Sequence, residues 1–351
     1  MSITKGDFGT AYGQAIELYT LANSQGMKVS IATLGGAVVE LWAPGRGGAF
    51  QDVVLGYTCA EEYARYTSNQ GALIGRYGNR IGAGRFTLKG KTYQLALNDH
   101  GINHLHGGDR GFNQRIWQVE GAQDGPAPSL ILSYTSPDGE ENYPGTLQVK
   151  VTYTLTEDNA LSIDYRAVTD ADTPVNLTNH TYFNLAGYDA GSITGHEICI
   201  HAQYFTPVDD GLIPTGELRA VRGTPFDFNS AKTIGRDLDS GDEQLVKGGG
   251  YDHNFVLGDA HVTKTAAIVY EPESGRIMTV KTDMPCMQFY IGNFLDGTEV
   301  GKGGLPLKRR HGFCLETQYA PDSPNQPAFP SVILHPGEEY HYTTSYQFSV
   351  R

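Results

Sequence analysis

Apolar and polar residues alternate along most of this chain with the period of two that a β-strand imposes. In residues 146–155, Val149, Val151 and Tyr153 interleave with Gln148, Lys150 and Thr152, and residues 160–168 repeat the pattern after a turn at Glu157, Asp158 and Asn159. Such a pair predicts a half-buried antiparallel ladder. Further strands are predicted at 15–22, 27–33, 37–42, 86–88, 91–95, 130–133, 196–205, 266–270, 276–281, 287–291, 312–318 and 340–349. Residues 59–66 suit a short helix, and helix-period stretches are otherwise scarce. Glycine-rich loops punctuate the strands at 69–84 and 103–108, and a loop-rich zone at 215–250 is the one place with room for a boundary. The pattern predicts an all-β, two-sheet chain, read as a single domain over residues 1–351.

Composition narrows the partners. The chain has 351 residues, 44 glycines and 21 tyrosines, which suits many strands and turns, and its formal charge of -13 disfavours nucleic acid and anionic membrane. A neutral polar ligand fits better. No run approaches the roughly 18 apolar residues of a membrane span, and no export signal is visible near Met1. Cys59, Cys199, Cys286 and Cys314 are widely spaced without a C-x-x-C pair, so reduced thiols in a cytoplasm are expected. The sequons at Asn176 and Asn179 then carry no glycan.

Candidate chemistry gathers around residues 175–185. Val175, Leu177, Phe183 and Leu185 fall on one face of a predicted strand, and Asn176, Thr178, His180 and Tyr182 on the other. His180 is able to give and take a proton near neutrality, but a satisfied structural histidine explains the residue equally well at this point. His104 and His106 share one side of an extended loop with His100 nearby; without a HExxH motif, a cysteine pair or clustered aspartates, no metal is expected. Glu316 lies in a mostly apolar strand, where a carboxylate must be paired or used. Asp252 follows three glycines and suits either an Asx-turn or chelation of adjacent hydroxyls; Arg80 is a clamp or a solvated charge.

Six motifs in order change the balance: Gly75–Ile81 (GRYGNRI), Asn103–Gly108 (NHLHGG), Asn176–Leu185 (NLTNHTYFNL), Tyr251–Phe255 (YDHNF), Gln288–Phe294 (QFYIGNF) and Glu316–Gln318 (ETQ). Together they closely resemble the aldose 1-epimerase family, the galactose mutarotases. The resemblance implies a large antiparallel β-sandwich of the galactose mutarotase type, an open cleft for a free aldose, and no cofactor. It also implies His180 as acid, Glu316 as base and His106 at the ring oxygen, with Asn79, Arg80, Tyr182, Asp252 and Gln288 on sugar hydroxyls. A monomer or weak dimer is expected.

The chemistry asks for the same residue types. Interconverting anomers requires a base for the C1 hydroxyl proton and an acid for the ring oxygen, with both roles reversed on closure. Neighbouring carboxylates are expected to raise the pKa of His180. Three rivals stay open: hydrolysis by Asp252 and Glu316, a non-catalytic sugar-binding module, and a hexose-phosphate 1-epimerase using Arg76, Arg80 and Arg85.

Overall fold

A computed structural model describes residues 2–351. The predicted ladder at 146–168 forms as Leu147–Leu155 against Ala160–Thr169, in unbroken register from Leu147 opposite Thr169 to Leu155 opposite Leu161. It lies inside a nine-stranded antiparallel sheet. In spatial order the strands are Gln118–Gln123, Ser129–Ser136, Leu147–Leu155, Ala160–Thr169, Tyr340–Val350, Arg276–Thr282, Lys264–Tyr270, Glu197–Ile200 and Lys232–Thr233. Two further five-stranded antiparallel sheets complete the frame. One is a meander of Ser2–Ala11, Gln14–Ala22, Lys28–Ala32, Val38–Pro44 and Phe50–Asp52. The other orders Arg219–Ala220, Tyr204–Thr206, Asp252–Val256, Cys286–Tyr290 and Cys314–Gln318.

This last sheet is a wall between the core and the cleft. Its strands Cys286–Tyr290 and Cys314–Gln318 are buried at every position, because both faces are covered. On the core side Tyr346 Oη donates to the Leu315 carbonyl at 3.0 Å, and the Thr317 and Thr344 hydroxyls meet. The contact joins the wall to the nine-stranded sheet as a β-sandwich. Alternation then turns Cys314 and Glu316 away from that core.

The short helix forms at Ala60–Arg65 as expected. The 215–250 zone is tied into the frame: Phe226, Phe228, Ile234 and Leu245 join the main hydrophobic cluster, and Asp242 caps the helix Glu243–Gly248 by accepting from the Gln244 and Leu245 amides. Two expectations need correction. The 175–185 stretch is not a continuous strand: Thr178–Asn179 pairs with Leu73–Ile74, Asn176 and Phe183 form isolated bridges, and every residue of the stretch is buried. Its "polar face" is buried too, because glycine-rich loops lie over it; Asn176, for example, donates to the Gly78 and Tyr319 carbonyls. The 196–205 strand is split, with Glu197–Ile200 in the large sheet and Tyr204–Thr206 in the wall. Among the described residues no helix is long and apolar enough to cross a membrane.

Candidate active site

The wall places its functional side chains by register. Gln288 lies opposite Glu316, and Tyr290 lies between Asp252 and Cys314, so alternation puts all five on the face away from the core. Gln288 Nε2 donates to Asp252 Oδ1 at 2.7 Å. Gln288 Oε1 and Glu316 Oε2 are buried with no partner, so both are acceptors waiting for a donor.

Three segments close the cleft opposite. The 175–185 stretch brings His180 Nε2 to 3.8 Å from Glu316 Oε1 and packs the Tyr182 ring against His180 at 4.9 Å between centroids, the planes tilted by 37°. The 69–84 loop carries Arg80, whose Nε lies 2.8 Å from Asp99 and whose Nη1 lies 3.6 Å from Asp252. The 103–108 loop carries His106, whose ring meets His180 edge-on at 5.1 Å. Asn79 joins these loops: its amide donates to His106 Nδ1 at 3.1 Å and accepts on its own side chain the Arg80 amide at 2.8 Å. Gly107 makes their approach possible, because at φ +87° a Cβ there would sit 1.9 Å from the Gly75 oxygen. The segment after the Cys314–Gln318 strand supports the 69–84 loop, since the Asp322 amide donates to the Arg80 carbonyl and the Asp322 carboxylate accepts from the Gly82 amide.

Together these residues line a cavity of about 310 Å³ that includes Asn79, Arg80, His106, His180, Tyr182, Asp252, Tyr290 and Glu316. Phe294, 55% exposed, and Asp296, Thr298 and Glu299 form its outer rim.

Burial dominates the electrostatics. It lowers the pKa of His180 to about 4, although a bond from the ring to its own backbone carbonyl pulls the other way. The expectation that carboxylates would raise it is therefore wrong: desolvating an imidazolium costs more than Glu316 returns across 3.8 Å. Burial, then the charge of Asp252, pushes Glu316 well above the ordinary carboxylate range, with Arg80 opposing. Burial thus favours the neutral form of both partners. His106 is held well below its usual pKa by burial and by His180 and Arg80.

His106, His180 and Glu316 form a cluster with ligand atoms within 4.8 Å, a spacing that would suit a metal ion. The Asn79 amide argues against that use. By donating to His106 Nδ1 it fixes the ring proton on Nε2, so the nitrogen left for the cleft is a donor without a lone pair.

His104 is not in the cleft; its ring is satisfied by the Ala96 carbonyl and the Tyr143 hydroxyl at 2.7 Å. His100 is exposed. Arg76 is buried against the Ser136, Pro137, Pro144 and Gly145 carbonyls, and Arg85 is exposed, so the three arginines do not converge. Sequence reasoning missed Asp99, Cys314 and Tyr290. The i, i+2 spacing of Cys314 and Glu316 in one strand was the available signal for the cysteine; nothing local marked Asp99.

A family model described as aldose 1-epimerase matches residues 17–347. The chain is 45% identical to galactose mutarotase of Sus scrofa, covering 100% of this chain and 99% of that protein. It is 41% identical to aldose 1-epimerase of Escherichia coli K12, covering 96% of each. Among solved structures, an aldose epimerase homologue from C. elegans superposes with a TM-score of 0.87 at 30% identity, covering 99% of each chain. A galactose 1-epimerase from Lactobacillus acidophilus does so with a TM-score of 0.87 at 28% identity, covering 100% of this chain and 99% of the other.

Proposed function

The chain belongs to the aldose 1-epimerase family and is a carbohydrate isomerase, and from that premise we propose how its own residues divide the work. Glu316 takes the proton of the C1 hydroxyl while His180 protonates the ring oxygen. The C1–ring oxygen bond breaks, the aldehyde rotates about C1–C2, and the same transfers run backwards on the other face. Each transfer contributes roughly 10²–10⁴-fold. The observation that carries this reading is the buried pair itself, His180 Nε2 facing Glu316 Oε1 across 3.8 Å with Glu316 Oε2 unpartnered. A hemiacetal carbon bearing both reacting oxygens spans such a gap. Hydrogen bonding from the C1 hydroxyl favours ionised Glu316, against the effect of burial.

His106 offers Nε2–H, so it donates to the ring oxygen or a neighbouring hydroxyl and leaves proton transfer to His180. Arg80, Asp252 and Gln288 form one linked set of donors and acceptors for sugar hydroxyls, with Asn79 and Tyr182 completing the lining. The substrate is a free, neutral aldohexose such as D-galactose or D-glucose. Arg80 is already matched by Asp99 and Asp252, and Asp296 and Glu299 add negative charge to the cleft rim, which opposes a phosphate. We read residues 1–351 as one domain, acting in the cytoplasm as a monomer or weak dimer without nucleic-acid partners, a reading that the four unpaired thiols support.

Polarimetry of freshly dissolved α-D-glucose and α-D-galactose tests the reading. Accelerated change of rotation supports it. Sugar binding without acceleration would make the chain a binding module, and a preference for a hexose phosphate would overturn the charge argument.

A further inference from the structure

The strand Cys314–Gln318 touches both nitrogens of the acid that is proposed above. Alternation turns Cys314 and Glu316 to the same side, Glu316 Oε1 lies 3.8 Å from His180 Nε2, and Cys314 Sγ lies 3.5 Å from His180 Nδ1. Both partners are buried, Cys314 at 0% exposure and His180 at 4%. We propose that Cys314 is a positioning residue that holds the ring proton of His180 on Nδ1, keeping Nε2 free to give and retake the proton of the sugar ring oxygen.

The proton balance requires such a partner. Charged His180 gives its Nε2 proton to the ring oxygen, the C1–ring oxygen bond breaks, C1=O forms, and the hydroxyl proton passes to Glu316. Neutral His180 is left with its remaining proton on Nδ1. On closure the Nε2 lone pair must recover a proton, so the opposite tautomer is unproductive. The nitrogen that keeps its hydrogen is set by the bond it makes. Here Nδ1 meets the Cys314 sulfur, which selects this tautomer by accepting from Nδ1–H, whereas S–H donation to Nδ1 would select the other.

A thiol is a distinctive choice for that place. It accepts weakly and carries no charge, so it orients the ring without stabilising the imidazolium as a carboxylate would. Burial, Glu316 and Asp252 push the Cys314 thiol well above its usual pKa, so it stays neutral at any working pH. The other groups around His180 are His106 from the 103–108 loop, Tyr182 from its own stretch and Tyr290 from the neighbouring strand, with Arg80 and Asp252 further along the cleft. No carboxylate faces Nδ1 among the hydrogen bonds and ion pairs of His180. The arrangement keeps the acid strong at the moment of transfer.

The proposal rests on His180 being the acid, and the test separates the two ideas. Histidine ¹⁵N NMR of the wild-type enzyme above pH 7 reads the tautomer directly: a protonated Nδ1 is expected, and a protonated Nε2 overturns the proposal whatever the activity. Kinetically, Cys314→Ala is expected to lower kcat about tenfold with KM little changed, a fraction of the roughly 10²–10⁴-fold of one proton-transfer group. Cys314→Ser keeps an acceptor, a stronger one, so it should restore most of kcat and move the histidine limb of the pH–rate profile to higher pH. Wild-type kcat and an unshifted profile in both variants overturn the role of Cys314. If His180→Asn keeps full activity, the underlying assignment of the acid fails instead.

Discussion

Removing the carboxylate behind Arg80 isolates what that residue's orientation is worth. Asp99 and Arg80 are each only 8% exposed in their side chains and meet at 2.8 Å, while Asp252 lies 3.6 Å from the other end of the guanidinium. In Asp99→Ala, Arg80 keeps Asp252 as a partner. The cost therefore stays below the 3–5 kcal/mol of a stranded buried charge and near the roughly 1.5–3 kcal/mol of one charge-assisted hydrogen bond. Spent on positioning, that loss raises KM for galactose or glucose roughly 10- to 100-fold, since about 1.4 kcal/mol is tenfold. Asp99 touches no reacting atom, so kcat should stay within about threefold of wild type. Freed from Asp99, Arg80 also leans towards Asp252 and Glu316, which lowers the Glu316 pKa and moves the acid limb of the profile to lower pH. Asp99→Asn keeps an acceptor and should recover part of the loss. Initial-rate polarimetry across sugar concentration reads all three effects. An unchanged KM in Asp99→Ala would refute the reasoning, as would a loss confined to kcat.

Other consequences concern stability. Burial lowers His104, His180 and His196 to about 4 and His253 to about 3, below the ordinary 6.5 of an unfolded chain. Their neutral forms are favoured in the fold, so stability is full above pH 6.5 and falls as pH drops towards 4, by on the order of 3 kcal/mol each. Urea midpoints should fall steeply between pH 7 and pH 5, and a flat profile would contradict the assignment. Glu316 carries the opposite sign, because its folded pKa is raised: its contribution is present below 4.5 and lost as pH rises through the folded value. Glu316→Gln should therefore raise the urea midpoint at pH 7 and lose that gain at pH 4. Gly107→Ala, with a Cβ 1.9 Å from the Gly75 oxygen, should cost at least about 2 kcal/mol and displace His106; wild-type stability and KM would show the loops move apart freely.

Where strands alternate between core and solvent, the sequence was a faithful guide. Leu147–Leu155 and Ala160–Thr169 fall within about a residue of the predicted spans, because their outward face stays polar. The rule failed where both faces are covered. Residues 175–185 kept an alternating pattern, but loops bury their polar members and backbone pairing is reduced to Thr178–Asn179 and isolated bridges at Asn176 and Phe183. Asp252 opens the strand Asp252–Val256 that the three preceding glycines hid. In the site, His180, Glu316, His106, Asn79, Arg80, Tyr182 and Asp252 do line one cavity, and Gln288 joins them through Asp252, yet it took the family resemblance to choose them. His104 looked as promising as His106 from its position in the loop. Only the fold separates them, turning one ring to Tyr143 and the other to His180. Asp99 was illegible because its meaning lies in a contact with Arg80, 19 residues away in sequence.

The central claim, that Glu316 moves the C1 proton against His180, is tested most directly by one polarimetric comparison. Freshly dissolved α-D-galactose is mixed with wild type or with Glu316→Gln, and sugar binding by the variant is measured in parallel. The account predicts that Glu316→Gln binds galactose within a few-fold of wild type, because Arg80, Asp252 and Gln288 are untouched, while the enzymatic rate falls by roughly 10²-fold or more. A variant that binds the sugar and turns it over at the wild-type rate would contradict the account.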